Sequence, residues 1–109
     1  MEIIEIKKKL VRIVENLVNK SYKEVYEEDY FKRMSPDEMN AIIDDYNETM
    51  TLPPNVFFDK FIIYSISENE VTVDFDLWFN NKKSDLTLLC RFINIEGELK
   101  CGIEDMHIL

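Results

Sequence analysis

The sequence predicts an α+β domain: N-terminal helices packed on a curved four-stranded antiparallel sheet, in the order α-α-β-β-β-β. Three observations predict it. In the first half of the chain apolar residues recur at three- and four-residue steps, the spacing of a helix with one buried stripe. In the second half they alternate with polar residues, the period of a strand buried on one face. Short polar turns join the alternating segments, and such turns connect antiparallel neighbours. Helices segregated ahead of strands give a layer of helices on one sheet face.

The elements follow in order. Over residues 3–20, Ile3, Ile6, Leu10, Ile13 and Leu17 form a stripe that Ile4, Val11, Val14 and Val18 widen, with Lys7, Lys8, Lys9, Arg12 and Glu15 outside it. That is a helix of about five turns whose broad apolar face needs a sheet against it. Residues 21–34, SYKEVYEEDYFKRM, have a weaker period, and a short helix and an irregular connection stand as alternatives. SPDE at 35–38 is a start signal: Ser35 caps, Pro36 suits the first helical position and Glu38 closes a capping box. Met39, Ile42, Ile43, Tyr46 and Met50 carry a second amphipathic helix to about residue 48, and TLPPN stops it, because a residue before proline avoids the helical region. Strands are expected at 57–67, 70–79, 85–95 and 99–109, separated by the turns ENE, NNKKS and EGE.

One domain spanning 1–109 is expected, long enough to bury a core without metal or disulfides. Thirteen Lys and Arg stand against 22 Asp and Glu, a net charge of −9. Nucleic-acid binding relies on clustered bases, so this balance disfavours it and favours a basic protein partner, which the long-range field attracts. No apolar run reaches the ~18 residues of a membrane span, and the N-terminal stretch is too interrupted by charge to read as a signal peptide. The cytoplasm is the expected compartment, since two cysteines make no disulfide framework.

Chemistry-bearing residues are few. Cys90, Cys101 and His107 are the candidate metal ligands, but six residues of strand put Cys101 and His107 roughly 20 Å apart, so both cysteines read as small buried hydrophobes. No nucleophile motif occurs, and two glycines cannot build a phosphate loop. Neither a metal nor a cofactor is indicated. The segment VTVDFDLWF (71–79) is more informative. Val71, Val73, Phe75, Leu77 and Phe79 line its core face, which puts Asp74, Asp76 and Trp78 on the other. Glu104 or Asp105 is placed to join them, with Tyr64 and Arg91 alongside. As an enzyme, that set would need a carboxyl buried in a pocket; as a binding surface, it needs only an aromatic anchor beside unpaired charge. A second acidic zone spans 24–48, nine acids against Lys32 and Arg33, and includes Glu27, Glu28, Asp29, Asp44 and Asp45. Its plain alternative is a solvated helix face.

The runs TMTLPP (49–54), DLWF (76–79), SDLTL (84–88) and IEDMHIL (103–109) resemble an uncharacterised family of small bacterial α+β domains with a cystatin- or NTF2-like shape, over residues 36–109. The resemblance implies one or two helices on a curved antiparallel sheet, and it brings no catalytic residues. In size and charge the chain is also similar to immunity proteins of toxin systems such as contact-dependent growth inhibition. That similarity implies a non-enzymatic, cytoplasmic antitoxin that blocks a basic, nuclease-type toxin. Partner-binding residues are then Asp74, Asp76 and Trp78, or on the helices Glu27, Glu28, Asp29, Asp44 and Asp45. The alternative is an NTF2-like small-molecule protein or enzyme with a carboxylate-lined pocket. A monomer and a homodimer stay equally open, because an exposed sheet edge can self-pair.

Overall fold

The computed structural model describes residues 1–108. Three helices come first: α1 (Ile3–Val18), α2 (Tyr22–Glu28) and α3 (Pro36–Asp45). Five strands follow: β1 (Met50–Thr51), β2 (Ile62–Ser67), β3 (Glu70–Phe79), β4 (Lys82–Ile95) and β5 (Glu98–Ile108). Every pairing is antiparallel; β4 and then β5 lie on one side of β3, while β1 and β2 share its other edge. The α+β reading holds, with one strand and one helix more than expected. The end of the expected 99–109 strand, residue 109, lies outside the described residues.

The helices cover one face of the sheet. Ile6, Leu10, Val14 and Leu17 of α1 share a single core with Val71, Val73, Phe75, Leu77 and Phe79 of β3. Each such side chain contributes about 1.5–3 kcal/mol by leaving water. Ile3 and Ile4, expected in the stripe, are exposed instead, ahead of Ile6, where the core face of α1 begins. α1 stops at Val18 rather than 20 because Lys20 turns left-handed (φ 59°). That lets Ser21 N–H donate to Asn16 O at 2.8 Å and Lys20 N–H to Leu17 O at 3.1 Å, the paired bonds that close a helix C-terminus.

The capping box at α3 forms as expected: Glu38 N–H donates to Ser35 Oγ, and Ser35 N–H to Glu38 Oε1, both at 3.1 Å. α3 ends at Asp45, three residues early, because Asn47 takes the left-handed conformation (φ 59°) that Asn tolerates just past a helix end.

The largest departure is at 57–61, expected as strand. Residues Asn55–Asp59 form a 3-10 turn instead. β1 pairs with Trp78–Phe79 and β2 with the Glu70–Asp74 stretch, so the edge of β3 between them has no strand. The turn fills that gap: Phe58 stacks on Phe75 at 5.2 Å, and Phe57 sets its edge on Phe75 and Trp78 at 5.4 and 5.1 Å. β4 starts three residues earlier than expected because the hairpin turn is only Asn80–Asn81, both left-handed (φ 49° and 62°), the backbone that a two-residue hairpin requires. No helix among the described residues is long and apolar enough to cross a membrane.

Candidate functional site on the open sheet face

β3 alternates strictly, with Val71, Val73, Phe75, Leu77 and Phe79 buried and Thr72, Asp74, Asp76 and Trp78 half-buried between them. The second set lies on the face away from the helices. Register extends it into rows across the sheet. Tyr64, Thr72, Arg91 and Gly102 form one; Ile62, Asp74, Leu89 and Asp105 the next; then Asp76, Thr87 and His107; and finally Thr51, Trp78 and Lys83. The sequence placed Asp74, Asp76 and Trp78 together, with Tyr64, Arg91 and Asp105 near them, and the strands bring these residues onto one surface.

Two irregularities in the pairings of β4 shape that surface. Between Leu89 and Cys90 the register to β5 slips by one residue. Ile103 and Met106 both stay in the core, so Glu104 and Asp105 fall between them as a bulge, and bulges re-aim side chains in this way. A second slip follows Asp76. There Ser84 Oγ donates to Leu77 O at 2.6 Å and accepts from Leu86 N–H at 3.2 Å, replacing the ladder bonds that the slip removes.

The charges differ in how far they are already engaged. Arg91 holds Glu70 at 2.6 Å through both Nε and Nη2 and lies 4.8 Å over the Phe31 ring. Asp76 accepts a long bond from Thr87 Oγ1 (3.4 Å) and has Lys83 Nζ 3.9 Å away; Thr87 itself is 1% exposed. Glu104 meets Arg33 at 3.4 Å through Oε1, while its Oε2 is buried without a partner. His107 Nδ1 is also buried without a hydrogen bond, 3.3 Å from Asp105 Oδ2. Asp74 has no side-chain hydrogen bond or ion pair among the described residues. Trp78 is half-buried, its Nε1–H enclosed without an acceptor and its ring held by Phe57. Phe57, Thr87 and Phe31 carry no local signal that would have marked them.

The second acidic zone is on the other layer. Glu27, Glu28, Asp44 and Asp45 are exposed on α2 and α3. Arg12 grips Glu28 through Nε and Nη2 at 2.6 and 2.9 Å. Hydrogen bonding to that guanidinium holds the Glu28 carboxyl below its ordinary range, against a smaller opposing push from burial. Lys23 lies 3.9 Å from Glu27. Asp29 does not belong to the exposed set: it is 4% exposed. Its Oδ1 accepts Phe31 N–H (2.8 Å) and Lys32 N–H (2.9 Å), and its Oδ2 accepts Ile103 N–H (2.8 Å). It clips the α2–α3 loop to the outer edge of β5, where Tyr30 N–H also meets Cys101 O at 2.9 Å. Gly102 makes room for it, since a Cβ there would overlap the Asp29 carboxylate.

The cysteines behave as expected of small core residues. Cys90 is fully buried and Cys101 half-buried, both free and both on the helix side of the sheet. Burial raises both thiols, Cys101 to about 11, which leaves little thiolate at neutral pH. Among the described residues no three His, Cys, Asp or Glu side chains converge as a metal site. The best-defined cavities lie along α1, α2 and the β5 edge, or between α1 and α3, and Asp74, Asp76 and His107 line none of them.

A family model described as a domain of unknown function (DUF7668) matches residues 14–109. The chain belongs to that family. The resemblance to an uncharacterised family is thereby upheld, over a longer stretch than 36–109. The DUF7668 match starts inside α1 and takes in α2, α3 and the whole sheet, the open face included. No curated protein matches the chain.

Proposed function

We propose that this domain is an immunity- or antitoxin-type binding protein that receives a basic, nuclease-type toxin on its open sheet face and makes or breaks no bonds itself. Asp74 carries the reading. It is a half-buried carboxylate in the middle of a face that no helix covers, and it lacks an internal partner among the described residues. A carboxylate held partly out of water without a counter-ion is costly in isolation and gains most from a Lys or Arg brought by a partner. Asp76, Glu104 and Asp105 surround it with further acceptors, and Trp78 and Tyr64 supply the aromatic area that anchors interfaces. A nuclease site must be lined with bases to hold phosphate, and a chain of net charge −9 is steered towards such a surface before contact. Glu27, Glu28, Asp44 and Asp45, on the opposite layer, add to the steering field.

The test is co-expression with a cationic toxin domain encoded beside this gene, followed by pull-down at low and high salt. Asp74→Lys combined with Asp76→Lys is expected to abolish capture, a loss of at least about 2 kcal/mol for a desolvated charge pair. Glu27→Lys with Asp44→Lys is expected to slow association and leave the complex intact. Capture indifferent to the Asp74 and Asp76 reversals would reject the reading, as would turnover of a metabolite by the isolated domain.

A further inference from the structure

The outer edge of β2 is the least protected strand edge of the molecule. Five of its six residues are exposed, including Ile62 (56%), Tyr64 (49%) and Ile66 (59%). The segment FIIYSIS (61–67) contains no charge, proline or glycine. Natural edge strands are usually blunted by just those residues, because an open row of N–H and C=O groups recruits another strand. The opposite edge of the sheet is managed, with the Asp29–Tyr30 loop bonded to β5. The β2 edge has no such cover among the described residues; its one interruption is a bulge between Ser65 and Ser67, at the turn end of the strand.

We infer that this edge pairs with the same edge of a second copy of the chain, joining two five-stranded sheets into one about a two-fold axis through Tyr64. An axis normal to the sheet keeps both open faces on the same side, so open-face residues must meet open-face residues. Centred on Tyr64, antiparallel pairing sets Tyr64 opposite Tyr64 and Ile62 opposite the Ile66–Ser67 bulge of the second copy, and it brings Lys60, just before the strand, near Glu68, just after it. Lys60 and Glu68 are exposed and enter no ion pair among the described residues. Other centres fit worse. An axis at Ser65 moves Glu68 towards Ile62 and Ile63, and one at Ile63 moves Lys60 towards Ile66; each sets an apolar side chain against a charge and separates Lys60 from Glu68. Charge selects the occupant as well as the register. Two copies each carrying −9 repel over most of their surfaces, and this neutral strand with one opposite charge at each end is where they meet without that cost. Main-chain bonds supply the affinity, as in other strand additions, and cross-strand Ile–Ile and Tyr–Tyr pairs add to it. Asp74, Asp76 and Trp78 stay free on the open face and only Tyr64 is shared, so the dimer does not rest on the partner proposed above.

Sedimentation equilibrium on the intact chain tests this, with circular dichroism as the control for folding. A dimer at micromolar concentration is expected. Tyr64→Lys, which sets two like charges across the axis, is expected to leave only monomer. Lys60→Glu, on an exposed residue outside the strand, is expected to weaken the dimer about tenfold, and Lys60→Glu with Glu68→Lys to restore it. The exposed Lys60 variant carries the test even where the Tyr64 variant fails to fold. A wild-type monomer, a dimer untouched by Lys60→Glu, or a double swap that does not restore association would each overturn the inference. A monomer that instead adds a strand from another protein at this edge would overturn it too.

Discussion

At the scale of single residues, the surroundings of Asp29 in sequence hide its role. Asp29 lies in a run of acids and looks like one more solvated charge, yet it is the buried clip between the α2–α3 loop and β5. No local pattern announces it, because its third donor, Ile103 N–H, is 74 residues away. Each bond from a backbone N–H to a carboxylate is worth about 1.5–3 kcal/mol, and losing the acceptor also leaves a buried donor unpaired. Asp29→Ala is therefore expected to lower the unfolding free energy by about 3 kcal/mol, measured by urea denaturation. Gly102→Ala is expected to be similarly harmful, since its Cβ overlaps the carboxylate. In the Asp29→Ala background the Gly102 substitution should cost far less, because the obstructing group is gone. That non-additivity is the signature of direct contact. Lys32 completes the clip: its Nζ donates to Tyr26 O, Glu27 O and Asp29 O at 2.9, 3.1 and 2.9 Å, neutralising the carbonyl end of α2.

At the scale of elements, what was legible is what neighbours in sequence decide. SPDE specified its own capping box, and VTVDFDLWF specified which residues of β3 are core, because both patterns close within a few residues. β1 was not legible: two residues become a strand only because Phe79 and Trp78 offer an edge to pair with. Nor was the 3-10 turn, which exists because β1 and β2 leave a gap on that same edge. The hairpin at Asn80–Asn81 is intermediate. Its Asn residues signal a turn, but its tight length depends on ties to the α3–β1 connection, with Asn80 N–H donating to Thr49 O at 2.8 Å and Asn80 Nδ2 to Glu48 Oε2 at 3.0 Å. Asn81 contributes only its backbone, through N–H to Thr51 Oγ1 at 2.9 Å. Its left-handed φ of 62° is one that glycine adopts without a Cβ penalty. Asn81→Gly is expected to stabilise the domain by about 0.5 kcal/mol, whereas Asn80→Gly, which cuts the side-chain tie to Glu48 in the α3–β1 connection, is expected to destabilise it. Thermal melts of the two variants, shifted in opposite directions, would establish that these adjacent residues differ in role.

At the scale of the whole molecule, the helices take one face of the sheet and leave the other with carboxylates, one tryptophan and few internal partners. Sequence alternation revealed that asymmetry but not its consequence for stability, since the bulge that presents Glu104 beside Asp105 depends on the pairing of β4 with β5. Asp74 and Asp76 are two positions apart on one strand face, about 7 Å, and among the described residues only Asp76 has a cation near it, Lys83 at 3.9 Å. Their mutual repulsion opposes folding and weakens with added salt. The proposed recognition role predicts this kind of internal conflict, because groups placed for a partner are not placed for the fold. Asp74→Asn is accordingly expected to stabilise the domain slightly at low ionic strength, by about a few tenths of a kcal/mol read from urea denaturation, with the difference shrinking as salt is added. The same Asn change at Asp29 should destabilise at every salt concentration, since one of its two acceptor oxygens becomes a donor. Were Asp74→Asn instead to cost more than about 1 kcal/mol, its carboxylate would be holding the fold together, and the proposed recognition role would lose the residue on which it rests.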